Sequence, residues 1–85
     1  MKEEKAYEIV DFLKSKIGDR GDFEVNYEED NYWILLRNKR MTGADMGVIK
    51  EVKQKYNVQL QYKGRLIAIY DPEDNFDIWG KKKVD

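Results

Sequence analysis

Neither cysteine nor histidine occurs in the 85 residues of this chain. Disulfides, thiolate and imidazole metal sites, Ser-His-Asp and Cys-His catalysis, and histidine pH switches are excluded together. Proline occurs once, at Pro72. No apolar run approaches the roughly 20 residues of a membrane-spanning helix. The opening Met1, Lys2, Glu3, Glu4, Lys5 lacks the apolar stretch of a secretory signal, so the expected location is cytoplasmic. No glycine-rich phosphate loop or nucleotide fingerprint is present, and no cofactor is expected. Catalysis would therefore need paired carboxylates, a lysine or a carboxylate-held metal. The dense acidic stretches are Glu28, Glu29, Asp30 and Asp71, Glu73, Asp74, Asp77. They lack the ordered spacing, sixth-position glycine and closing glutamate of a calcium loop and read as turns with solvated charge. The expectation is a protein that is not an enzyme and holds no metal.

What is present is enough apolar surface for one core. Hydrophobic residues make up 41% and aromatic residues 13%, against 39% charged, which favours a folded chain over a disordered one. A chain this short holds a single domain, expected over residues 1–71, with 72–85 as a C-terminal tail that could pack back on it.

Ala6, Ile9, Val10, Leu13 and Ile17 recur at spacings of three and four, which predicts an amphipathic helix over 2–17, ended by Gly18. Phe23, Val25 and Tyr27 alternate with Glu24, Asn26 and Glu28, the pattern of a strand buried on one side. Tyr32 to Arg37 is apolar on both faces and is expected to lie centrally. Thr42, with Asp45 three residues on, marks the start of a second helix carrying Met46, Ile49, Val52 and Tyr56. Val58, Leu60 and Tyr62 alternate with Gln59 and Gln61, and a Lys63-Gly64 turn is expected to lead into the doubly apolar Arg65 to Tyr70. Asp71-Pro72 ends that strand.

The fold class expected is α+β: two helix-strand-strand units giving a four-stranded antiparallel sheet, ordered first, second, fourth, third, with both helices on one face. The halves resemble each other. Phe23 to Tyr27 answers Val58 to Tyr62, and Tyr32 to Asn38 answers Arg65 to Asp71.

Two helices cover only one face of such a sheet. The inner strands must then turn either Trp33, Leu35 and Arg37 or Tyr32, Ile34 and Leu36 outward, together with Leu66, Ala68 and Tyr70 or with Ile67 and Ile69. An apolar stripe rimmed by polar outer strands marks an interface or a covered core. The tail bearing Phe76, Ile78 and Trp79, a second copy in a homodimer, or a partner protein could cover it. The interface candidates are Trp33, Leu35, Leu66, Tyr70 and Trp79, and the expected function is that of a binding or inhibitory accessory protein.

The net charge of −1 hides an uneven distribution. Residues 37–65 carry eight basic and two acidic side chains, whereas residues 1–36 carry five and ten. Arg37, Lys39 and Arg40 precede the second helix, Lys50 lies on it, and Lys63 and Arg65 flank the last turn. This basic segment, with aromatic residues on an open sheet face, supports the alternative of a nucleic-acid-binding module.

Overall fold

The computed structural model describes residues 1–28 and 30–74. Helix α1 (Glu3–Ile17) leads through a 3-10 turn (Gly18–Arg20) into strands β1 (Gly21–Glu28) and β2 (Asn31–Asn38), then α2 (Gly43–Tyr56), β3 (Gln59–Lys63) and β4 (Leu66–Tyr70). The four strands form one antiparallel sheet in the order β1-β2-β4-β3. This is the α+β arrangement that the apolar periodicity predicts, with the two doubly apolar strands in the middle.

The helices begin and end where local chemistry directs. Glu3 and Glu4 lie in the first turn of α1 and Lys14 and Lys16 in its last, each sign at the end where the helix dipole favours it. Gly18 adopts φ +64°, a conformation that costs glycine little, and its N–H donates to the Lys14 carbonyl. At the start of α2, Thr42 Oγ1 accepts from the Asp45 N–H at 3.2 Å and Asp45 Oδ2 accepts from the Thr42 N–H at 3.0 Å. This reciprocal pair is the capping box legible in the sequence.

One core joins the two layers. Ala6, Ile9, Leu13 and Ile17 of α1 and Ile49 and Val52 of α2 are fully buried with Ile34, Leu36 and Ile69 of the sheet. At about 25 cal/mol per Å2 of apolar area, each large aliphatic side chain buried there contributes about 1.5–3 kcal/mol. Phe12 meets Tyr56 edge-on at 6.1 Å between ring centroids, which ties α1 to α2 beside that core.

Two expectations need correction. The second hairpin turns at Gly64 and Arg65, one residue later than expected, because Lys63 remains paired with Leu66. The ladders of the two hairpins close at Glu28 with Asn31 and at Lys63 with Leu66. Superposing them makes Tyr32 answer Ile67 and Ile34 answer Ile69, so the likeness of Tyr32 to Arg65 is two residues out of step. An even shift keeps each residue on its face, which is why the sequence pattern still led to the right sheet.

Candidate interaction surface

Register decides which side chains leave the core. Ile34 pairs with Val25 and Ile69, and Leu36 with Phe23 and Ile67, so these residues share the helix-covered side. The alternating residues Trp33, Leu35 and Arg37 of β2 and Leu66, Ala68 and Tyr70 of β4 point away from both helices. The polar margins of that face are Asp22, Glu24, Asn26 and Glu28 of β1 and Gln59, Gln61 and Lys63 of β3.

Four of the five interface candidates thus lie together: Trp33, Leu35, Leu66 and Tyr70, each half-buried. Trp79 lies outside the described residues, as do Phe76 and Ile78. Ala68 sits between Leu35 and Gln61 in the ladder and has no exposed surface, even though its side chain points away from the helices. The Tyr70 hydroxyl accepts from Gln61 Nε2 at 2.9 Å, a diagonal contact across the β3–β4 ladder, in which Tyr70 pairs with Gln59. Among the described residues, no helix or strand lies over this face.

The basic candidates gather at one end of the sheet. Arg37 and Lys63 both pair with Leu66, and the Asn38 N–H donates to the Arg65 carbonyl at 2.8 Å. The Arg65 guanidinium reaches the carbonyls of Asn38 and Lys39 at 3.4 and 3.3 Å. Lys39 and Arg40 adjoin, each within 3.6 Å of an exposed carboxylate, Asp22 and Asp19 respectively. Lys50 does not join them: it is exposed on α2, in the other layer.

Carboxylates collect at the opposite end. Glu3, Glu4, Asp30, Asp71, Glu73 and Asp74 line an open groove of about 650 Å3 beside Met1 and Tyr32. The Met1 ammonium donates to the Tyr32 carbonyl at 3.1 Å and to Asp74 Oδ2 at 2.7 Å, while the Tyr32 N–H donates to the Met1 carbonyl at 3.0 Å. Lys5 Nζ donates to Asp71 at 2.6 Å. These contacts close the end of the sheet where β4 stops and β2 begins. Among the described residues, no group of three or more acidic side chains has metal-binding geometry.

Sequence reasoning missed Arg20. Its Nε and Nη2 donate to Asp45 Oδ2 and Oδ1 at 2.7 and 2.9 Å, its Nη2 also donates to the Lys16 carbonyl, and its own carbonyl accepts from the N–H groups of Lys39 and Arg40. One residue thereby joins the end of α1, the β2–α2 connection and the α2 cap. The guanidinium first, and the Thr42 N–H second, hold the buried Asp45 carboxyl well below the usual carboxylate range. The same carboxylate raises the Arg20 pKa further. The cap of α2 is thus occupied by the protein's own acid, and the basic end of the sheet is a cluster of side chains beside it. Compared with known proteins, the chain matches no family model, no curated protein and no solved structure.

Proposed function

We propose that this chain is a binding module that acts by protein-protein association through the face of its sheet away from the helices, with a second copy or a partner protein as the occupant. The placement of Trp33, Leu35, Leu66 and Tyr70 on one face carries the reading. An apolar centre with a polar rim is the layout of a protein interface, and Trp and Tyr are the side chains that most often anchor one. No catalytic step belongs to this reading. Light scattering on the parent chain and on Trp33→Asp tests it. Association that weakens in the variant, with circular dichroism unchanged, supports the reading. A monodisperse monomer whose stability and association ignore the change refutes it.

A second reading rests on a separate observation, the gathering of Arg37, Lys39, Arg40, Lys63 and Arg65 at one end, with the carboxylate-rich groove at the other. That separation removes much of the repulsion a polyanion would meet from an evenly acidic surface. Retention of short single-stranded and duplex oligonucleotides over a salt series tests it, because a phosphate-binding surface weakens steeply as salt rises.

A further inference from the structure

Among the described residues, strand β1 (Gly21–Glu28) is a margin of the sheet and pairs only with β2. It spans eight residues, longer than the common five or six. Alternate N–H and C=O groups of such a margin point outward and are ready to pair with an added strand.

The side chains of β1 specify what kind of strand would fit. Away from the helices it presents Asp22, Glu24, Asn26 and Glu28. Asp22 has Arg37 as its cross-strand neighbour and Lys39 within 3.6 Å, but Glu24 and Glu28 face Leu35 and Asn31, so β2 supplies them no cation. Toward the helices, Phe23 and Val25 are only part-buried and Tyr27 is 59% exposed. Tyr7 is 49% exposed on α1, about 140° around the helix from Phe12 and hence away from α2. The margin is acidic on one side and aromatic or aliphatic on the other.

A second copy adding its own β1 would bring Asp22, Glu24 and Glu28 against the same set, and like charges directly opposite are destabilising. Lysine or arginine at alternate positions of the incoming strand reverses the sign of each contact, and apolar residues between them would extend the layer formed by Phe23, Val25 and Tyr27. We propose that β1 is a docking edge for an extended segment of a partner protein with Lys or Arg at every second residue and apolar residues between. Its acidic residues also rim the apolar sheet face, but the pairing groups lie along the outer margin of β1, and the test reads those amides rather than association through Trp33.

The probe is a blocked octapeptide of alternating lysine and valine. A peptide with four lysines followed by four valines has the same composition without the alternation, and an alternating glutamate-valine peptide reverses the charge. Binding is followed by fluorescence anisotropy, and hydrogen exchange reads the amides of residues 21–28. The alternating basic peptide is expected to bind and to slow the outward-facing β1 amides. The block peptide is expected to leave them unchanged, and the acidic peptide not to bind. Glu24→Lys and Glu28→Lys, both at exposed positions, are each expected to weaken binding about fivefold or more, the effect of a cross-strand charge contact of about 1 kcal/mol. Glu51→Lys, the same charge reversal at an exposed position on α2, is expected to bind as the parent does. Failure of the alternating peptide to bind, binding that leaves β1 exchange unchanged, or indifference to both charge reversals overturns the proposal.

Discussion

Leu35 and Ala68 face each other across the β2–β4 ladder on the side of the sheet away from both helices. The pair sits at the centre of the four strands, with Glu24 beyond Leu35 and Gln61 beyond Ala68. A row running acid, leucine, alanine, amide is apolar only in its middle. That cross-section sets the width of the surface proposed for association: two strands of contact and one polar strand of rim on each side.

Replacing Leu35 by Asp is expected to abolish association through this face while leaving a folded chain. Leu35 is half-buried, so the loss of stability should stay near 1–2 kcal/mol, below the cost of deleting a fully buried leucine. Urea titration gives the stability, and sedimentation of the same sample gives the association state. Leu36→Asp is the contrast. Leu36 is fully buried on the helix side, and a charge there should unfold the protein.

Acid sensitivity should centre on Asp45. Its carboxyl titrates lower in the folded chain than its ordinary value of about 4. A depressed folded pKa contributes stability above that ordinary value, and the contribution is lost as pH falls toward the folded one. Asp45→Asn should therefore lower the thermal midpoint at pH 7 by several degrees and flatten the acid limb below about pH 4. Arg20→Lys should give a smaller loss at pH 7, because an ammonium cannot make the two parallel bonds that the guanidinium makes to both carboxylate oxygens. Melting curves of the parent and both variants from pH 2 to 8 check the sign and the order.

The sequence patterns that proved reliable are local. Alternation in β1 and β3, apolar runs in β2 and β4, and Thr42 with Asp45 each reflect contacts within a few residues, and they were enough to imply strand order, whereas which residues of the two inner strands face outward was left open until the register decided it. Arg20 was not legible because its partner lies 25 positions away and nothing in Gly-Asp-Arg-Gly distinguishes a part-buried bidentate pair from a solvated turn. The pairing of Met1 with Tyr32 spans 31 positions and was equally hidden. The basic cluster was half legible. Arg37, Lys39 and Arg40 are neighbours in sequence, but only the β2–β4 register brings Lys63 and Arg65 to them and leaves Lys50 behind.

Asp71 joins the start of the chain to the end of the sheet. It accepts from Lys5 Nζ at 2.6 Å and lies 3.7 Å from the Met1 ammonium. Asp71→Asn keeps the shape and removes the charge. Since these groups are partly shielded, a loss of about 1 kcal/mol is expected, near the top of the range for exposed pairs. The loss should shrink as salt rises, because screening weakens the ion pairs in the parent but changes little in the variant. Urea midpoints of both chains at low and high salt give the comparison.

Two glycines should respond to alanine with opposite signs. Gly47 lies within α2, and a Cβ there would meet no atom within 4 Å. Alanine restricts the unfolded chain and suits a helix, so Gly47→Ala should stabilise by about 0.5–1 kcal/mol. Gly64 also has open space around it, but it holds φ +60° in the β3–β4 turn. Alanine fits there sterically yet resists that backbone conformation, so Gly64→Ala should destabilise by about 1–2 kcal/mol. Because neither substitution creates or removes a side-chain contact, the difference isolates backbone conformation. Paired urea titrations at one pH and salt concentration would measure it, and equal effects from the two variants would contradict the left-handed turn at Gly64.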